Sequence, residues 1–194
     1  MNDLLGDPAG SVPDSGVTTT AARSLLLVHG ADQIAHPGGT LLAHLERVHD
    51  LLRTWDARPA LRLAGLCHAF YGTDGFPTAL APDHQRARLV AVIGDEAETI
   101  VHRYCSCDRA ATYPALARTP ALFRDRFTDT TTVLSDPDTR DLAELTAANE
   151  LDMVLLGAVP GHMVAPLLER LQMWLSPPAQ HATTTALADR PPSH

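Results

Sequence analysis

The 194-residue sequence is short of aromatic side chains, which make up 5% of it, while alanine and leucine are abundant. A β-sandwich draws on aromatic and β-branched residues, so this shortage argues against one and for closely packed helices. Cysteine is scarce too: Cys67, Cys105 and Cys107 are an odd number in no disulfide-like framework. That argues against a disulfide-stapled secreted domain and predicts reduced thiols in a cytoplasm. Two thiols one residue apart, as in Cys105-x-Cys107, make a weak zinc signature and read as structural or incidental. No run approaches about 18 uninterrupted apolar residues, which argues against a spanning helix. The opening MNDLLGDPAGSVPDSG lacks the basic and apolar regions of a secretory signal. No Lys/Arg block or basic helix occurs and the net charge is −8, so no nucleic-acid partner is expected. Neither a Ser-His-Asp arrangement, a phosphate-cradling glycine loop nor a dinucleotide fingerprint is present, and Gly38-Gly39 alone does not make one.

What is present fits one globular domain. The length allows a real core but not comfortably two, and 45% of the residues are hydrophobic. Residues 1–17, rich in Gly, Pro, Asp and Ser, are expected to form a flexible tail. Helical spacing of Ala21, Leu25 and Val28 predicts a helix over 18–29, with Gly30 as its stop. After the turn His36-Pro37-Gly38-Gly39, Thr40 can cap a helix from Leu41 to Trp55. Its stripe Leu41, Leu45, Val48, Leu52 and Trp55 is a core-facing seam, with His44 at one edge. Pro59 suits the first turn of a helix running to Tyr71, on which Leu61, Ala64, Gly65 and His68 share a face. A short helix over 82–94 stops at Gly94, and Asp95-x-x-Glu98 opens another in a capping-box pattern. Residues 106–134 read as a long connection with one helical turn near 121–127, and Asp108-Arg109 as a local ion pair. Asp136-Pro137 starts a helix to about Gly157, with Asn149 pointing at the core. A last apolar helix over 162–175 is expected to pack on the core or on a second subunit, giving a homodimer. Residues 177–194 read as a flexible tail, and no strand is expected.

Four pieces carry a resemblance, in order along the chain: His44 in LAHLERVHDLL, the segment AGLCHAFYGTDGF, the helix IGDEAETIVHRYCSCDR, and AANELDMVLL. Together they resemble the HD-domain superfamily, and within it the hydrolase domain of RelA/SpoT-type enzymes. The resemblance implies a compact all-α bundle of six to seven helices over 18–176. It also implies a divalent metal (Mn, Fe or Zn) held by a first histidine, a His-Asp pair and a late aspartate. Carried over residue by residue, His44 and His68 match, whereas Ala69 and Asn149 stand where the family has aspartates. Of the family's acidic pair only Asp74 remains. His36 and Asp74 are the spare ligands nearest in sequence, and Asp152, three residues past Asn149, is expected to be rotated away.

These residues give a site of His36, His44 and His68 as metal ligands, with Asp74, Tyr71 and Asn149 as catalytic residues. Asp74 would be a ligand or general base, and Tyr71 would stand at the pocket mouth. The substrate would be a small molecule. The resemblance implies phosphoester hydrolysis by default and oxygenase chemistry as a variant. Loss of both aspartates leaves two alternatives open. One is a metal-free tailoring enzyme of small-molecule biosynthesis in a bacterium. The other is a non-catalytic binding scaffold in which His44 and His68 are satisfied core residues.

Overall fold

Thr40 accepts a hydrogen bond from the Ala43 backbone N–H and so opens the helix on which the candidate site begins. In the computed structural model, which describes residues 16–76 and 78–188, the chain is mainly helical. Helix α1 (Gly16–Val28) leads through a small hairpin, β1 (Ala35–His36) and β2 (Gly39–Thr40), into α2 (Leu41–Thr54) and α3 (Pro59–Cys67). A 3-10 turn precedes α4 (Arg86–Ser106). Next come the one-turn helix α5 (Arg109–Thr112) and a hairpin of β3 (Leu122–Asp125) and β4 (Thr130–Val133). Helices α6 (Asp136–Leu155), α7 (Gly161–Leu171) and α8 (Pro177–Ala188) complete the described chain. None of the helices among the described residues is long and apolar enough to cross a membrane.

The expected seam of α2 is fully realised: Leu41, Leu45, Val48, Leu52 and Trp55 are all buried. Helix α2 packs against α3 and α6, and α3 against α4. Helix α6 runs through the middle of this arrangement. Thirteen of its twenty residues are buried, too many for a single amphipathic stripe, so it is enclosed by neighbours on several sides. Gly94 breaks α4 at φ 82° and ψ 162°, a conformation open essentially only to glycine, so the predicted stop at Gly94 and restart at Asp95 stand.

Several expectations are corrected. The connection 106–134 contains α5, a 3-10 turn and the β3–β4 hairpin rather than a single turn near 121–127. Strands therefore do occur, short and paired in two hairpins. Residues 177–188 are helical, not a tail: α8 packs on α6 and α7. Residues 189–194, and 1–15 at the other end, lie outside the described residues, while Gly16 and Val17 of the expected first tail already belong to α1. The N-cap of α6 is Ser135, whose hydroxyl accepts from the Asp138 N–H, one residue before the position expected. Glu98 does not serve a capping box. Its carboxylate is buried and accepts from Tyr71 and Arg86.

Candidate functional site

The histidines of α2 and α3 meet because both helices bury the faces that carry them. His44 lies one turn into α2, and His68 follows the last residue of α3 as its C-cap; each is 2% exposed. Their Nε2 atoms are 3.3 Å apart. From α6, Asn149 brings its Oδ1 to 3.1 Å from His44 Nε2. His44 Nε2 therefore meets two polar atoms brought in by two other segments.

The outer partners of these side chains decide what the three atoms are. His44 Nδ1 lies 2.7 Å from Asp152 Oδ2. Asp152 also accepts from Arg47 Nε at 2.6 Å and NH2 at 3.0 Å. Burial pushes the Asp152 pKa up, but the hydrogen bonds from His44 and Arg47 outweigh it and hold the carboxyl below its ordinary range. An ionised carboxylate only accepts, so His44 Nδ1 carries a proton and donates. His68 Nδ1 donates to the Gly65 carbonyl at 2.7 Å, which leaves the lone pair on its Nε2. Burial first, and His44 second, lower the His68 pKa to about 3, so this ring is neutral at ordinary pH. Asn149 Nδ2 donates to Glu150 Oε1 at 3.1 Å, which turns its carbonyl oxygen toward His44. With His44 neutral, two ring lone pairs and one amide oxygen face each other with no hydrogen among them. Such a cluster needs a cation at its centre, either a proton or a metal ion.

The three atoms line a cavity of about 220 Å³. Its polar wall includes His36, Arg109 and Glu150, and its apolar wall Phe76, Met153 and Val159. Ala69 also lines the cavity. His36 is brought in by the β1–β2 hairpin, but it stacks on His44, with ring centroids 4.1 Å apart and an interplanar angle of 21°. Stacked rings keep their in-plane lone pairs in two separate, nearly parallel planes, which do not meet at one ion. Burial, and His44 beside it, lower the His36 pKa.

Two of the expected catalytic residues stand elsewhere. The Tyr71 hydroxyl donates to Glu98 Oε1 at 2.8 Å, away from the cavity, and burial followed by this contact pushes its pKa up. Asp74 is exposed and accepts from the Arg109 backbone N–H at 2.9 Å, with its side chain outside the cavity lining. Asp108 and Arg109 do not form the expected pair. Asp108 caps α5, and the Arg109 side chain enters the cavity wall. Sequence reasoning missed Arg109 and Glu150 as site residues, and it expected Asp152 to be rotated away, whereas Asp152 meets His44. The one signal for Asp152 was its spacing of three from Asn149, which puts both on one side of α6.

Among the described residues, no group of three or more His, Cys, Asp or Glu side chains is placed to hold a metal ion; the third converging atom here is an amide oxygen. The chain matches a family model described as a domain of unknown function (DUF6817) over residues 25–109. That span carries His36, His44, His68 and Arg109 and stops short of Asn149, Glu150 and Asp152. No curated protein and no solved structure matches the chain.

Proposed function

We propose that this chain is a metal-dependent enzyme of HD type that acts on a small molecule, with hydrolysis as its reaction. The observation that carries the reading is the convergence of His44 Nε2, His68 Nε2 and Asn149 Oδ1, each with its outward partner an acceptor. Donors bound to one zinc at about 2.0–2.1 Å lie about 3.0–3.4 Å apart along the edges of its coordination shell, and the two spacings from His44 Nε2, 3.3 Å and 3.1 Å, fall in that range. An imidazole that ligates a metal usually gives its other N–H to a carboxylate or a backbone carbonyl, and His44 and His68 do one each. The resemblance to HD domains supports the same three positions independently of these distances.

When bound, a divalent ion held by two neutral imidazoles and an amide keeps most of its charge and polarises a substrate oxygen or a water. The protein's own residues supply the rest. Asp152 and Arg47 fix the tautomer and ring orientation of His44. Glu150, the carboxylate on the cavity wall, takes the role of proton acceptor for which Asp74 is out of reach. His36 closes one face of His44 and keeps bulk water off the ring.

The competing reading replaces the ion by a proton on His44 Nε2 shared with Asn149 and His68. The short contact between His44 and Asp152 favours it, because that carboxylate would stabilise an imidazolium. Elemental analysis of untagged protein, reconstituted with Zn(II), Mn(II) or Fe(II) and desalted, decides between them. One equivalent of metal in the wild type, lost in His68→Ala, is expected. A wild type that retains none after reconstitution leaves the proton reading and ends the metal-dependent one.

A further inference from the structure

We infer that Arg109 is the anchor for an oxyanion carried by the small molecule that enters this cavity; the inference rests on the site reading above. Arg109 opens α5, and its backbone N–H is tied to Asp74. The side chain runs inward between two rings, with its guanidinium carbon 5.5 Å from the Tyr104 centroid and 5.8 Å from that of Tyr113. It is a held cation rather than a loose surface one. An arginine has five N–H donors, yet among the described residues this guanidinium makes a single hydrogen bond, from NH2 to the Tyr104 hydroxyl at 3.2 Å. Its carboxylate neighbour, Glu150, stays 3.6 Å from NH1, beyond hydrogen-bond reach, and is already accepting from Asn149. With Glu150 only an ion-pair neighbour, most donors of this largely enclosed cation stay open on a cavity wall to a hydrogen-bond acceptor.

Gly75 belongs to the same arrangement. A Cβ at that position would stand 2.7 Å from Arg109 NH1, so the backbone of the 72–76 loop passes where a side chain would push the guanidinium aside. The charges point the same way. Arg47 offsets Asp152, and Arg109 offsets Glu150. A divalent ion would then bring two positive charges that Ala69 and Asn149 do not balance. An oxyanion on the ligand supplies the negative charge that the donor set lacks. Phe76, Met153 and Val159 provide an apolar wall for the rest of the molecule, and the cavity limits it to a small one.

Calorimetric titration of the full, zinc-reconstituted chain with benzoate, phenyl phosphate and neutral benzamide tests this. At least one oxyanion is expected to bind at a single site while benzamide does not. Benzoate alone would identify a carboxylate ligand, and phenyl phosphate alone a phosphate monoester. Arg109→Gln should weaken that binding by about tenfold or more, the loss expected for a hydrogen-bonded charge, with metal content unchanged. Gly75→Ala, which keeps the charge but shifts its position, should weaken binding several-fold and covers the case in which Arg109→Gln fails to fold. Wild-type affinity in both variants, or no binding of either oxyanion to the wild type, overturns the inference. Arg109-dependent oxyanion binding by a protein that takes up no metal would leave this inference standing and end the site reading; metal uptake without oxyanion binding would do the reverse.

Discussion

Asp152 stands behind His44, and its charge decides which nitrogen of that ring faces the cavity. Asp152→Asn keeps the shape but lets either nitrogen of His44 carry the proton. Outer partners of this kind are worth about 10–100-fold in metal affinity, and a loss of that size in chelator competition is the expected result. Unchanged affinity would mean that Asp152 does not orient the ring. His68 sets a second expectation, for protein stripped of metal. Its pKa falls from an ordinary 6.5 to about 3 on folding, chiefly through burial. Between these values the unfolded chain binds the extra proton, so stability rises with pH and is lost as pH falls below 6.5 toward 3. One such group contributes about 1.4 kcal/mol per pH unit, so urea midpoints should drop over this window in the wild type and flatten in His68→Asn. Parallel slopes would show that His68 is not the responsible group. His44, His68 and Asn149 were legible in the sequence because each is a polar residue that helical spacing places on or beside an apolar face. Arg109, Glu150 and Asp152 were not. Asp152 pairs with Arg47 across 105 residues and Glu150 with Arg109 of another segment, and no local pattern records such pairings.

Helix α4 is two helical segments joined at Gly94, and the break lets its first part turn so that Arg86 reaches Glu98 and, through it, Tyr71. Alanine at position 94 would have to adopt φ 82° and ψ 162° or straighten the helix and pull Arg86 off Glu98. A backbone state of this kind costs a non-glycine residue of order 1–3 kcal/mol, so Gly94→Ala is expected to lower unfolding free energy by about that much in urea. A neutral or stabilising effect would mean that the break carries no consequence. The break was readable because glycine beside a capping residue is a local signal. Helix α8 is the opposite case. Its buried Ala179 and Thr183 form a narrow, weakly apolar stripe, and Pro177-Pro178 followed by a threonine run reads as loose chain, although proline in the first turn is also a helix start. The β3–β4 hairpin was hidden in a similar way. All four residues of β4, Thr130–Val133, are exposed, so the alternation that marks a half-buried strand is missing.

At the level of the whole molecule, the family match and the site do not have the same limits. The matched segment, 25–109, holds α2, α3, α4, the end of α1 and two of the three converging atoms. The third atom, and the Asp152 that orients the first, belong to α6, which begins at Asp136 and fills the space between α2, α3 and α4. Leu142, Leu145, Ala147, Ala148 and Leu151 of α6 are all at most 2% exposed, so removing that helix would open the buried faces of its neighbours to water. Apolar burial of about 25 cal/mol per Å² is what offsets chain entropy, and a polypeptide without its central helix loses much of it. The isolated segment 25–109 is therefore expected to show helical signal with no cooperative thermal transition and to bind dye that reports exposed apolar surface. It should also retain no metal under conditions in which the full chain holds one equivalent, since His44 would lose its orienting carboxylate and the site its amide oxygen. A sharp calorimetric melt of that segment would mean that it folds independently and that α6 is an addition to a finished core. Metal retained there at full affinity would show that the site needs neither Asn149 nor Asp152.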